Sequence, residues 1–279
     1  MTIHDNGNLF INFAATITVV GGAILLFILI CRRYLYAIFE HVDGLLTVDN
    51  CKNLRIFHVP TKARLFYINK RIFDLIISSL LLINLWPLML FAAILVKVDS
   101  HGRIFYKQKR IGKKGKIFYA YKFRTIAVGF LEDKCLKEIG LRVKLNADPR
   151  VTRVGKFLRK TSLDELPKLI NVLKGDMSIV GTSEATDYSY IESLSSEVVD
   201  AILSVKPGLV SLWSLSGSRM RWDLDSRLAY DLYYVSHQSF ILDLSIFLMT
   251  PFSVLGRAGY EGGIEQKEKN RKQKTGNRE

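Results

Sequence analysis

The most informative segment of this chain is an uncharged run of 22 residues. Its sequence is Leu75-Ile-Ile-Ser-Ser-Leu-Leu-Leu-Ile-Asn-Leu-Trp-Pro-Leu-Met-Leu-Phe-Ala-Ala-Ile-Leu-Val96. A helix of this length can cross a hydrocarbon core about 30 Å thick. Pro87 removes a helical N–H and clashes with the preceding turn, so we expect a bend there. Both flanks are basic, with Lys70 and Arg71 before the run and Lys97 after it. A helix that enters and leaves on the same side satisfies both flanks, and an ordinary kinked transmembrane helix is the alternative.

A second uncharged run covers residues 9–31, nearer the N-terminus. Asp5 precedes it, and Arg32 and Arg33 follow it. Because basic residues collect on the cytoplasmic side of a membrane span, this pattern predicts a transmembrane anchor over 1–33 with its N-terminus outside. A cleaved signal peptide is the alternative, but such a peptide begins with a basic region and has a shorter apolar core.

The charge of the chain is concentrated in one block. Its 279 residues include 40 Lys and Arg against 26 Asp and Glu, a formal charge of +14, yet 49% of them are hydrophobic. A chain this apolar is neither a disordered polycation nor a typical soluble nucleic-acid-binding protein. Residues 97–180 alone hold 21 basic and 8 acidic side chains, a charge of +13. Such a block predicts a face toward anionic lipid headgroups, a pocket for phosphates, or both.

Residues 104–125 alternate apolar and polar side chains around Gly112 and Gly115, which is the pattern of a β-hairpin. Lys122 and Arg124 fall on the same face of the second strand. Two cations on one strand face are candidates for binding phosphate, and a solvated strand face is the alternative.

The densest chemical pattern lies in residues 148–181. Leucines recur there at helical spacing, and Gly175 is placed to end the helix. Ser162 and Glu165 have the spacing of a capping box, and Asp164 is the alternative N-cap. Either choice puts Asp164 and Glu165 at the positive end of a helix dipole, where a carboxylate stays ionised and a phosphate is attracted.

Cations crowd just upstream of this acidic pair, at Arg150, Arg153, Lys156, Arg159 and Lys160. That neighbourhood suits phosphoryl transfer, in which an ionised Asp attacks phosphorus or holds a divalent cation while positive groups neutralise the phosphate oxygens. The sequence has no Walker loop and no Gly-x-Gly-x-x-Gly, which excludes a standard nucleotidase or kinase arrangement. The residues alone indicate a membrane-bound enzyme that handles phosphate-bearing substrates.

Seven motifs follow one another over residues 70–260, namely Lys70-Arg-Ile-Phe-Asp74, Tyr106-Lys-Gln-Lys-Arg-Ile-Gly112, Tyr121-Lys-Phe-Arg-Thr125, Asp148-Pro-Arg-Val-Thr-Arg-Val-Gly155, residues 158–178, Lys206-Pro-Gly208 and Asp231-Leu-Tyr-Tyr-Val235. With these motifs the chain resembles the bacterial sugar transferases that start glycan assembly on a polyprenyl phosphate, the monotopic phosphoglycosyl transferases. The resemblance covers about two-thirds of the sequence and is highly specific.

The resemblance implies an α+β membrane protein. Its N-terminal transmembrane helix is followed by a re-entrant membrane helix broken near Pro87, and then by a compact, mostly helical cytoplasmic domain with a small β-hairpin and interfacial amphipathic helices. The expected divisions are an anchor at 1–33, a linker at 34–69, a sugar transferase domain at 70–260 with its re-entrant helix at about 72–97, and a polar tail at 261–279.

The resemblance also implies a two-step reaction that requires Mg²⁺. Asp164 would be the nucleophile that takes a sugar phosphate from a UDP-sugar and releases UMP, after which a polyprenyl (undecaprenyl) phosphate attacks the covalent intermediate. Glu165 would bind the metal together with Asp164, or assist proton and leaving-group chemistry. The candidates for phosphate binding are Arg124, Arg159, Lys122, Arg150 and Arg219.

The resemblance places this activity at the bacterial inner membrane, with the domain in the cytoplasm where nucleotide sugars are found. The expected partners are the UDP-sugar, the polyprenyl phosphate carrier and the membrane. A homodimer is compatible with the sequence, and nucleic acid is not an expected partner. The reaction would initiate the synthesis of a surface polysaccharide or glycoconjugate.

The chain departs from the family pattern after Gly181, where Pro-Arg-Pro is typical and Thr182-Ser183-Glu184 stands instead. A cation expected near the phosphates is therefore absent, and an acid takes a place close by. The family's usual Gly-Arg pair further along the chain is interrupted here by a serine, giving Gly217-Ser-Arg219. Because the acidic pair is intact, we predict an active enzyme with altered recognition of the sugar nucleotide. The alternative is a catalytically degraded membrane scaffold or regulator of the same pathway.

Overall fold

The structure is a computed structural model that describes residues 4–47, 64–127, 150–184, 194–216 and 224–254. Arg219, the polar tail at 261–279 and residues 48–63 of the expected linker lie outside these ranges. Within them the elements are, in chain order, α1 His4–Thr47, α2 Arg64–Asp99, β1 Phe105–Ile111, β2 Ile117–Phe123, α3 Arg153–Lys160, a 3₁₀ helix Leu163–Lys168, α4 Leu169–Lys174, β3 Ser178–Val180, α5 Ser196–Leu203, β4 Gly208–Val210, α6 Leu212–Leu215, α7 Leu224–Ser236 and α8 Phe240–Val254.

Within the described residues, two segments are long and apolar enough to cross a membrane, Gly21–Asp43 in α1 and Arg64–Asp99, which is α2. Helix α1 continues to Thr47, so residues 34–47 are helical where the sequence suggested the start of a linker. The reason is an apolar stripe at helical spacing, Leu35, Ile38 and Val42, which is buried in the core of the domain.

The C-terminal end of α1 is fixed to α7 by specific contacts. The Tyr230 hydroxyl donates to Asp43 Oδ1 at 2.7 Å. Phe39 packs edge-on against the Tyr230 ring, with 5.9 Å between the ring centroids. The anchor is thereby joined directly to the rest of the protein.

The predicted hairpin is confirmed. Strands β1 and β2 are antiparallel, with Phe105 opposite Phe123 and Ile111 opposite Ile117. The amide of Asn171, on α4, binds the outer edge of β2 by donating to Tyr119 O at 2.8 Å and accepting from Tyr121 N at 3.0 Å. This one buried side chain fixes α4 against the hairpin.

Strands β3 and β4 form a small parallel pair, in which Ser178 lies opposite Gly208. The backbones approach so closely that a Cβ on Gly181 would lie 2.3 Å from Lys206 O. Glycine is therefore required at this crossing. Sequence patterning did not predict the pair because three-residue strands carry too little alternation.

The N-terminal part of α2 is bound to the domain by three charged side chains of the first motif. Lys70 forms an ion pair with Asp243 on α8. Arg71 donates to the last carbonyls of α4, Val172 O at 2.6 Å and Leu173 O at 2.7 Å. Asp74 accepts from Ile179 N, on β3, at 2.9 Å.

The C-terminal end of α2 binds a different part of the same domain. The Arg124 guanidinium donates to Ser100 O and His101 O, both at 2.7 Å. Asp99 accepts from Val154 N, in the first turn of α3, at 3.2 Å. Both ends of this long helix are therefore attached to one domain.

Candidate active site

The predicted acidic pair lies in the first turn of the 3₁₀ helix. Ser162, which precedes it, has a positive φ of 58° and makes no side-chain capping bond, so the predicted capping box is wrong. In this left-handed conformation the Ser162 hydroxyl is not directed at the N–H groups of the following turn, and Asp164 is not the N-cap either. A single short 3₁₀ helix also contributes little dipole, so the electrostatics of the pair depend on side chains.

The turn before the acidic pair is held by packing and by hydrogen bonds. Leu158 is fully buried against the Phe123 side chain and the second half of α2. Gly155 approaches the hairpin so closely that a Cβ there would lie 2.3 Å from Thr125 O. A non-glycine residue in a left-handed conformation, as at Ser162, is costly and is often found at functional sites.

The Asp164 carboxyl is 9% exposed, and its pKa is raised to about 6. Burial is the main cause and the neighbouring charge of Glu165 adds to it, while Lys122, Lys168 and Arg159 act in the opposite direction. At neutral pH the group is mostly ionised and more basic than an ordinary aspartate. These are the properties of a carboxylate nucleophile or a metal ligand.

Glu165 forms ion pairs with two lysines. Its Oε1 lies 3.3 Å from Lys122 Nζ and 3.3 Å from Lys168 Nζ. Burial, together with the charge of Lys168, lowers the pKa of Lys122. The pKa of Lys168 is raised because the carboxylates of Glu165 and Glu184 outweigh the effect of burial.

Arg159, on α3, also lies at this site, since its charge lowers the pKa of Asp164. Its Nε donates to Thr125 Oγ1 at 2.9 Å. The structure therefore brings together four of the residues that the sequence selected, Asp164, Glu165, Lys122 and Arg159.

Arg124 and Arg150 have other settings. Arg124 is buried, and its two terminal nitrogens bind the backbone carbonyls that follow α2. Arg150 is half-buried, and its carbonyl accepts from Ala127 N at 3.1 Å. Phosphate binding by either residue stays a prediction, as it does for Arg219.

Two further residues of the site, Lys168 and Arg110, were missed by sequence reasoning, whereas Glu184 was noted there as a departure from the family pattern. Lys168 contacts both Glu165 and the Glu184 carboxylate, and Arg110 Nε lies 3.2 Å from Glu184 Oε2. Lys168 follows Glu165 by three residues, a spacing that brings side chains together on a helix and was the available signal. Arg110 on β1 gave no signal, because only tertiary packing brings it to the site.

A second buried carboxyl lies near the departure from the family pattern. Asp231, on α7, accepts from Ser183 N at 2.8 Å and from Ser183 Oγ at 3.0 Å. Its pKa is raised to about 6 by burial, although Arg227 and the Ser183 hydrogen bonds lower it. Ser183 stands where the family pattern typically has arginine, and its short hydroxyl binds this buried acid.

The donor set is compatible with magnesium. Among the described residues, no three His, Cys, Asp or Glu side chains come together as a metal site. Mg²⁺, however, is commonly held by one or two carboxylates together with substrate phosphates. Asp164 and Glu165 supply two such carboxylates beside a cationic pocket, which fits this mode of binding.

Comparison with known proteins agrees with this geometry. The family described as bacterial sugar transferase matches residues 65–257. The undecaprenyl-phosphate galactose phosphotransferase of Salmonella typhimurium is 40% identical over 233 residues, which cover 80% of this chain and 46% of that protein. The exopolysaccharide production protein ExoY of Sinorhizobium fredii is 40% identical over 205 residues, covering 69% of this chain and 88% of ExoY.

A third relative is the UDP-glucose:undecaprenyl-phosphate glucose-1-phosphate transferase of Klebsiella pneumoniae, 40% identical over 189 residues, or 66% of this chain and 39% of that protein. The chain thus spans less than half of the Salmonella and Klebsiella proteins but most of ExoY. The match over residues 65–257 contains both ends of α2, the hairpin and the acidic pair. The family resemblance seen in the motifs is confirmed, and the chain belongs to the bacterial sugar transferase family.

Proposed function

We propose that this protein transfers a sugar-1-phosphate from a UDP-sugar to undecaprenyl phosphate, giving undecaprenyl-diphospho-sugar and UMP. The observation that carries the proposal is the buried Asp164 carboxylate among Lys122, Lys168 and Arg159. The names of the Salmonella and Klebsiella relatives supply the acceptor and the kind of group transferred. The ExoY name supports a role in exopolysaccharide production.

In the first step an Asp164 oxygen attacks the phosphorus that carries the sugar. The bond from this phosphorus to the bridging oxygen breaks, and UMP leaves with the electron pair. In the second step a phosphate oxygen of the lipid carrier attacks the same phosphorus, and Asp164 is released as a carboxylate. Lys122, Lys168 and Arg159 stabilise charge on the phosphate oxygens. Bound Mg²⁺, held by Asp164 and Glu165 with the substrate phosphates, would supply further neutralisation of that charge.

The membrane arrangement that we propose is an anchor with its N-terminus outside the cytoplasm, followed by a re-entrant α2 bent near Pro87. Both ends of α2 bind the same domain, as the contacts of Arg71 and Arg124 illustrate. The stretch between them, around residues 83–88, has mostly exposed side chains, among them Ile83 and Trp86. An apolar middle exposed between two anchored ends favours a helix that dips into the bilayer from the cytoplasmic side of the inner membrane.

The experiment is an assay of UMP release by the purified full-length protein with undecaprenyl phosphate, Mg²⁺ and a panel of UDP-sugars that includes UDP-galactose and UDP-glucose. We expect release with at least one sugar nucleotide and its loss in Asp164→Asn, because an amide is not a nucleophile at phosphorus. Asp200→Asn, at an exposed position on α5, is the matched control. Release that survives Asp164→Asn refutes the assigned mechanism.

The second candidate is a catalytically degraded membrane scaffold or regulator. The observation that favours it is Ser183, which stands where the family pattern has arginine and binds the buried Asp231 through its hydroxyl. The same assay decides between the two functions, since a scaffold would release no UMP from any sugar nucleotide.

A further inference from the structure

Glu184 places a carboxylate on the cationic side of the site. Its side chain is 9% exposed and pairs with Lys168 Nζ through Oε1 and with Arg110 Nε through Oε2. Lys168 also lies 3.3 Å from Glu165 Oε1, so one ammonium group is shared between Glu165 and Glu184. Glu184 is therefore coupled to Glu165 through Lys168.

Glu184 offsets part of the positive charge of this region. Burial favours its neutral form, but Lys168 and Lys122 outweigh burial and hold the pKa of Glu184 below its usual value. With Glu184 ionised, four cations face three carboxylates, namely Arg110, Lys122, Arg159 and Lys168 against Asp164, Glu165 and Glu184. Without Glu184, the excess of positive charge available to a phosphate would rise by one unit.

The backbone around Glu184 is held in place. Thr182 pairs with Pro207 as a parallel bridge and accepts from Gly208 N at 2.9 Å. Ser183 N donates to Asp231, and Arg227 donates to the carbonyl of Glu184. The carboxylate is thus presented to Lys168 and Arg110 by a fixed segment.

One buried donor next to Glu184 is unused. Arg110 Nη1 has no hydrogen-bond acceptor among the residues that the structure describes, although Nε binds Glu184 and Nη2 binds Gln108 Oε1 at 2.6 Å. A buried unpaired guanidinium N–H is costly, and an incoming anion oxygen is a suitable acceptor for it.

We propose that Glu184 is a specificity-determining residue that acts as a built-in anion, competing with the phosphates of the nucleotide for Arg110, Lys122 and Lys168. It lowers the affinity of the site for phosphate-bearing ligands, so that binding depends more on the uridine and sugar parts of the donor. This inference rests on the proposed function for the identity of the nucleotide.

The test compares binding of UMP, and separately of inorganic phosphate, to the full-length protein and to Glu184→Gln by isothermal titration calorimetry. We expect the Kd for UMP to fall at least about fivefold, because the variant removes one like charge close to the bound phosphate in a partly buried setting. Glu197→Gln, an exposed glutamate on α5, removes the same charge elsewhere and should leave the Kd unchanged. An unchanged or raised Kd in Glu184→Gln overturns the proposal and indicates that Glu184 positions Lys168 for binding.

If Glu184→Gln does not fold, Glu184→Pro provides the test, because the family fold typically accommodates proline after Pro-Arg at this position. Proline is typical of the family at this position, and it keeps the carbonyl that Arg227 binds. The same fall in the Kd is expected, and its absence overturns the proposal. Assay of UMP release in the same preparations separates the two claims. Tighter UMP binding without turnover supports this inference and refutes the proposed function. Turnover with unchanged UMP affinity supports the proposed function and refutes this inference.

Discussion

Two buried aspartates of the domain, Asp164 and Asp231, both have a raised carboxyl pKa, but their surroundings differ. Burial is the main cause that raises the pKa of Asp164 to about 6 and that of Asp231 to about 6. Asp164 is surrounded by side-chain cations from β2, α3 and the 3₁₀ helix, namely Lys122, Arg159 and Lys168. Asp231 is held instead by two hydrogen bonds from Ser183 and by a single distant ion pair, with Arg227 Nε 3.9 Å from its Oδ2.

The difference teaches that a raised carboxyl pKa by itself reports burial or a nearby like charge. In our proposal it is the surrounding cations that suit Asp164 to a phosphate substrate. Asp164 has charges arranged to receive the oxygens of a transferred phosphoryl group. Asp231 has a hydrogen-bonding partner that fixes residues 183–184, and hence the position of Glu184. One aspartate acts on the substrate in our proposal, and the other supports the wall of the site.

The largest expected effect separates the two aspartates by activity. Asp164→Asn should lower UMP release by at least about 10³-fold, because the nucleophile is lost. Asp231→Asn should stay within about fivefold of the unmodified protein, since an amide oxygen still accepts from Ser183. The measurement is the initial rate of UMP release at saturating UDP-sugar. A loss of similar size in both variants would mean that Asp231 takes part in the chemistry.

A smaller effect on the rate of UMP release is expected when Lys122 is replaced. It tests whether the surrounding cations are what distinguishes Asp164 from Asp231. Lys122→Gln should lower the rate by roughly 10- to 100-fold, because one charge next to the phosphate oxygens is removed. Since Lys122 lowers the pKa of Asp164, its removal should also move the acid limb of the pH–rate profile, expected near pH 6, to higher pH. Lys174→Gln is the matched control, because exposed Lys174 binds Tyr121 OH at 2.9 Å on the same sheet. An unshifted acid limb would show that another group controls it.

The sequence predicted the parts of the fold that depend on local pattern. The hairpin followed from alternation around Gly112 and Gly115, and the two long helices followed from their uncharged runs. The acidic pair followed from helical spacing and nearby charge. The capping box failed because Ser162 adopts a positive φ, which residue types alone do not reveal.

Residues that tertiary packing brings together were not predictable in the same way. Arg110 and Glu184 are 74 positions apart, and their pairing depends on how the hairpin meets the segment after β3. Arg124 was selected for its charge on a strand face, yet its guanidinium binds the backbone after α2. A cation pattern shows that charge is present, and only packing determines which acceptor each cation meets.

The last prediction concerns stability in place of activity, and it again sets Asp231 apart. In the folded protein the pKa of Asp231 is about 6, above the ordinary value of 3.8. Between these values the folded state binds more protons than the unfolded state, so the free energy of unfolding falls as pH rises from about 4 to 6. Asp231→Asn removes this dependence and should be more stable than the unmodified protein at pH 7.5, by up to about 3 kcal/mol, with the difference vanishing near pH 4.

Denaturant unfolding in detergent micelles at pH 4.5 and pH 7.5 measures this difference, and Asp200→Asn, a change at an exposed position on α5, is its control. If Asp231→Asn is the less stable protein at pH 7.5, the ion pair with Arg227 stabilises the ionised carboxylate more than burial opposes it. The two aspartates would then differ also in the direction in which the folded protein shifts their pKa values. A gain in stability would mean that the domain keeps Asp231 at a cost, which is expected of a residue retained to fix residues 183–184 beside the site.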